Sequence, residues 1–168
     1  MKTKLNIFRI ALVLFAIVYM LLVLFYIIAT FTGGHTVPRE VIRASFLGNH
    51  LAINFYSYFM LDVIKDGLMI YALIVLLKVT DQFIKERYFT PKIINLMRIA
   101  GLLFIGVAFL GILISIFYHT TFSEHVIESL LLPGMIHFMT LIIGLGLLVI
   151  EETYHKGFII KTENDLTI

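Results

Sequence analysis

Asp62, Lys65, Asp66 and Met69 are spaced i, i+3, i+4 and i+7, and Asn54 and Tyr58 continue the stripe backward in four-residue steps. On a helix these residues share one face. The run that follows, Gly67 to Leu77, carries no charge, so the stripe stands at the edge of an apolar segment. Ionisable groups at such depth mark ion, proton or ligand sites, or pair with one another. Asp62 and Asp66 are candidate charge partners for a ligand, and His137, inside a later apolar run, is an imidazole that can change charge near neutral pH. With Lys65 and Tyr58 they form the candidate ligand-binding set. By helical rise Asp62 and Asp66 lie roughly 6–12 Å below the outer surface, and His137 falls at a similar depth, so the groups could meet. The competing reading is a packed polar plug, in which Lys65 neutralises one aspartate and Tyr58 and His137 satisfy the rest. Leu68 to Leu77 offers no second charge for access from both sides, which disfavours transport.

The elements that must hold these residues are membrane spans. The chain has 168 residues, 60% of them hydrophobic and 14% charged, with mean hydropathy +1.00. Soluble domains carry about 25% charge. Four apolar segments, near residues 10–30, 57–78, 94–118 and 130–150, are each long enough for a helix to cross a hydrocarbon core of about 30 Å. The second must include Asp62, Lys65 and Asp66 to reach that length. The expected architecture is one all-α domain over residues 1–168, a four-transmembrane-helix bundle. Gly101, Ala108, Gly111 and Ser115 form a stripe of small residues on the third span, and His137, Thr140 and Gly144 share a face of the fourth. Both patterns fit close helix packing, within the bundle or in a homodimer.

Short loops rich in Lys and Arg stay in the cytoplasm. Ten basic residues, among them Lys2, Lys4, Arg9, Lys85, Arg87, Lys92 and Arg98, fall on one side, against Arg39, Arg43 and Lys65 on the other. This places both termini inside, and the segment Thr120 to Ser129, without Lys or Arg, outside.

Several chemistries find no support. A net charge of +2 is too small and dispersed for direct nucleic-acid binding. The absence of cysteine removes disulfides, thiolate metal sites and thiol redox chemistry. His35, His50, His119, Glu124, His125 and Glu128 gather toward the outer side but match no compact ligand spacing, so no metal is expected. Haem would need a second intramembrane histidine beside His137, and no cofactor is expected. Glu151, Glu152 and Lys156 are similar to the Glu-Glu-x-x-x-Arg element of intramembrane CAAX-type proteases, but Lys replaces Arg and the accompanying His motifs are missing. We read them as a solvated helix end. No phosphate loop, nucleophile elbow or zincin helix occurs, so the chain is not expected to be an enzyme.

Phe89-Thr90-Pro91 followed by Leu96-Met97-Arg98-Ile99-Ala100-Gly101, and the ending Gly157-Phe158-Ile159-Ile160-Lys161-Thr162-Glu163-Asn164-Asp165-Leu166-Thr167-Ile168, resemble the YoaS-like family. Its members are small four-span bacterial membrane proteins of unknown function. The resemblance implies a bacterial cytoplasmic (inner) membrane location and, because such proteins are often encoded beside a small helix-turn-helix regulator, a cytoplasmic partner of that kind. Asp62, Lys65 and Asp66 map onto no motif of that family. A tail in which Glu163 and Asp165 precede Leu166 and Ile168 could dock on a basic and apolar groove of such a partner; it could equally pack on the chain's own loop at Lys85, Arg87 and Lys92. The expected function is a binding or regulatory module acting through the cytoplasmic loop and tail. The alternative is binding or transport of a small ligand, ion or proton at the outer polar cluster.

Overall fold

The computed structural model describes residues 2–32, 50–85, 89–122 and 126–166. The side chains of 2, 50–56, 118–122, 126–133 and 165–166 fall outside that description, as do His35, Glu124, His125 and Ile168. Among the described residues there are four long helices, α1 (Lys2–Phe31), α2 (His50–Ile84), α3 (Pro91–Phe122) and α4 (Val126–Leu166), and no strand. α1, α3 and α4 are long and apolar enough to cross a membrane. α2 is less clear-cut, because Asp62, Lys65 and Asp66 interrupt its apolar run.

Every helix outruns the span read from hydropathy. Apolar runs mark where lipid is, whereas a helix continues wherever its backbone hydrogen bonds can continue. The largest overshoot is in α4, whose 41 residues extend about 60 Å, twice a hydrocarbon core. Glu151, Glu152 and His155 end the apolar stretch, but the helix continues through them to Leu166. The expected solvated helix end is therefore mid-helix.

The helices run antiparallel and pack in chain order, α1 on α2, α2 on α3 and α3 on α4. α3 is the most enclosed of the three spanning candidates, and α1 turns most of its large apolar side chains outward. α1 touches its neighbours along one seam, Leu12, Ala16, Tyr19, Val23 and Tyr26, which recurs every three to four residues. In the middle of the molecule Ala72, Leu73 and Phe104 are buried, with Leu12, Ala16, Met69 and Leu147 packed around them.

α3 and α4 approach far more closely. A side chain at Gly101 would meet the Gly144 carbonyl at 3.0 Å, and one at Gly144 would meet the Gly101 carbonyl at 2.9 Å. Two helices can bring their backbones this near only where both lack a Cβ. The small-residue stripe is thus used inside the chain, against α4. Because α1 and α4 are not adjacent, an apolar groove of about 720 Å³ lies between them, floored by Leu73 and Phe104.

Candidate functional site

The polar residues of the second apolar segment collect at the junction of α1 and α2. Lys65 Nζ donates to Asp62 Oδ1 at 2.5 Å and lies 3.4 Å from Asp66 Oδ1. The i, i+3 and i, i+1 spacings allow one ammonium to serve both carboxylates. The side chains of Asp62, Lys65 and Asp66 are 13%, 17% and 11% exposed, so this is an interior ion-pair group, not a solvated helix end. Asp66 also accepts a hydrogen bond from the Tyr19 hydroxyl at 2.7 Å. Charge-assisted bonds of this length are the stronger kind. A recess of about 290 Å³ opens beside Asp62 and Asp66, walled by Tyr19, Leu22, Val23 and Tyr26 of α1.

Tyr19 is the residue that motif reading misses. Its signal is present, since a phenol in the middle of an otherwise apolar span must find an acceptor, but nothing in the spacing says which. Tyr58 stands half-buried one turn before Asp62 on the same helix. His137 is drawn elsewhere. Its ring lies over Gly111, where an added Cβ would overlap it, and its Nε2 shares a hydrogen bond with Ser115 Oγ at 3.2 Å. It remains within electrostatic range of Lys65 and Asp62, but makes no hydrogen bond to either. The inward face of α4 is completed by Thr140, which is 8% exposed and returns its hydroxyl to the Ile136 carbonyl. Among the described residues no group of three or more His, Asp or Glu is arranged to hold a metal.

At the opposite end a second junction forms. The Thr90 carbonyl accepts from the amides of Ile93 and Ile94 and starts α3 at Pro91. Phe89, immediately before it, packs at a tilt against Tyr154 with centroids 5.4 Å apart, and Tyr154 meets Phe83 edge-on at 5.5 Å. Gly157 leaves the room this contact uses, because a Cβ there would press into the Phe89 ring and displace it. Beneath these rings Val79, Ile93, Ile94 and Met97 are buried, with Phe158 packed against them. The two segments that carry the family resemblance, one around Phe89 and one led by Gly157, are therefore two sides of one contact. On the near side of α2, Arg9 Nε pairs with Asp81 at 2.9 Å.

Between the first turns of α3 and the middle of α4 lies a pocket of about 440 Å³ lined by Asn95, Arg98, Glu151, Glu152, His155 and Phe158. Glu152 is paired with Lys156 at 3.3 Å. Arg98 and Glu151 form no ion pair within 4 Å among the described residues. Further along α4, Ile159 and Ile160 are exposed beyond the charged turn, next to exposed Glu163. The helix carries Asp165 and Leu166 as well, so most of the expected tail is the last part of α4.

These features define an all-α membrane protein built of long antiparallel helices. Residues 41–168 match the model of a family described as a protein of unknown function, DUF2975, and the chain belongs to that family. The matched region takes in α2, α3 and α4. No curated protein and no solved structure matches the chain.

Proposed function

We propose that this protein is a multi-pass protein of the bacterial cytoplasmic membrane and a binding or regulatory module, acting through its cytoplasmic junction and the extension of α4. The observation that carries this reading is the seating of Phe89 on Tyr154 and Gly157. It ties the loop before α3 to α4, so the helix beyond it stands on a fixed base. That helix ends in exposed Ile159, Ile160 and Glu163, followed by Asp165 and Leu166. An acidic helix with apolar anchors suits the groove of a small basic partner, in the helix-in-groove manner. A helix-turn-helix regulator fits that chemistry. The basic residues of the loops and termini support placing this end inside.

The outer cluster is the weaker alternative because its charges already satisfy one another through Lys65 and Tyr19. A group so paired serves position and register without any ligand.

The test is a quantitative pull-down from native membranes, comparing the intact protein with one lacking residues 163–168 at matched expression. Loss of a basic soluble regulator with the tail is the expected result. If the shortened protein stays folded and no partner depends on the tail, the regulatory reading fails and binding at Asp62 and Asp66 becomes the next target.

A further inference from the structure

The pocket between α3 and α4 combines features that the regulatory reading does not use. Arg98 lies two turns into α3, about 10 Å from Pro91 by helical rise, at the depth where a basic side chain meets lipid headgroups. Across the pocket stands Glu151, and neither it nor Arg98 has an ionic partner within 4 Å among the described residues. Asn95 and His155 add hydrogen-bonding groups on the same walls. With Glu152 engaged by Lys156, a pocket that offers one unpaired cation and one unpaired carboxylate is complementary to a ligand carrying both charges. A purely anionic ligand would face Glu151 and Glu152; a purely cationic one would face Arg98.

The surface beside the pocket then changes character. One turn further into the bilayer on α3, Leu102 is 55% exposed, and on α4 Leu145 is 49% exposed. Arg98 and Leu102 are at i and i+4, so the polar wall continues directly into an apolar strip. Between them Leu148 fills the space over Gly101. A polar cavity within the usual range for small-ligand sites, opening on an apolar strip at the membrane interface, fits an amphiphile.

We propose that this pocket binds the headgroup of a zwitterionic amino-phospholipid of the phosphatidylethanolamine class. The phosphate is held by Arg98, with Asn95 beside it, the primary ammonium is held by Glu151, and the acyl chains lie along Leu102 and Leu145. A primary ammonium has three donors to give the carboxylate, whereas a trimethylammonium has none. The site therefore separates phosphatidylethanolamine from phosphatidylcholine as well as from anionic phosphatidylglycerol. The proposal needs the helices to lie in a membrane but does not need the soluble partner.

The experiment is native mass spectrometry of the full chain, purified in detergent and supplied with short-chain lipids of one acyl composition. The unaltered protein is expected to retain phosphatidylethanolamine about tenfold better than phosphatidylcholine or phosphatidylglycerol, with the mono- and dimethylated amines in between. Arg98→Gln and Glu151→Gln should each lower that retention by about the same factor, while Lys161→Gln, at an exposed position further along α4, leaves it unchanged. Equal retention of the three lipids, a preference for phosphatidylglycerol, or retention indifferent to both pocket variants would overturn the proposal. Competition by water-soluble glycerophosphoethanolamine at the same concentration would overturn the lipid as its source. The lipid series on the unaltered protein decides the question even if Arg98→Gln fails to fold.

Discussion

The junction of α1 with α2 and the junction of α3 with α4 solve the same problem by opposite means. α1 is held by a single seam and by side chains that reach across it, Tyr19 to Asp66 and Arg9 to Asp81. α3 and α4 are held by the absence of side chains, at Gly101, Gly111, Gly144 and Gly157. In lipid no hydrophobic driving force brings helices together, so association must come from close packing or from polar contacts. Close packing tolerates no enlargement, whereas polar contacts tolerate substitution only if no charge is left unpaired. The first kind of junction is rigid and shape-dependent; the second is adjustable in charge.

Breaking the polar junction at its centre has the largest expected effect. Lys65→Met leaves Asp62 and Asp66 without their cation and should cost about 3–5 kcal/mol, read as loss of folded monomer in detergent melting. The triple change of Asp62, Lys65 and Asp66 to Asn, Met and Asn should recover most of that loss, since it removes the unpaired charge. Failure to recover would mean that the cluster does more than satisfy itself.

Next comes the close-packed seam. Gly144→Val places atoms against backbone of α3, which cannot rotate away, and should cost about 1–3 kcal/mol. Gly111→Ala meets the His137 ring first, so adding His137→Ala should relieve it, whereas adding Ile105→Ala to Gly144→Val should not. Melting of the four variants tests whether the obstacle is side chain or backbone.

The smaller effects sharpen the contrast. A double-mutant cycle on Tyr19→Phe and Asp66→Asn should give a coupling of about 0.6–1.7 kcal/mol, between the average and the upper end for polar contacts between membrane helices. Arg9→Gln should cost no more than about 1 kcal/mol, because the pair with Asp81 is substantially exposed, and its effect should shrink as salt is raised. A cost for Arg9→Gln equal to that for Lys65→Met would remove the distinction drawn between the centre and the end of this junction.

Much of this was legible in the residues themselves. The i, i+3, i+4 spacing already placed Asp62, Lys65 and Asp66 on one face, and the small residues of the third and fourth apolar segments already marked a contact. Which contact they made was not legible. The same glycines would serve a dimer, and only the antiparallel docking of α3 on α4 opposes Gly101 to Gly144 and Gly111 to His137. His137 is near enough to sense the acidic group, yet its hydrogen bond goes to Ser115, twenty-two residues away in sequence and adjacent only across the α3–α4 seam.

Sequence alone determined what depends on local composition and period: four apolar segments, the helical form that lipid imposes on their backbones, the charged turn in the second and the family resemblance in the segments around Phe89 and after Gly157. The tertiary structure alone decided what depends on which faces meet. It matched Tyr19 with Asp66, set Phe89 on Gly157, carried α4 to Leu166 in place of a free tail, and left Arg98 and Glu151 facing a shared pocket. The physical reason is that a helix fixes which residues share a face, within a turn or two, while the choice of partner for that face is settled by packing between segments distant in the chain.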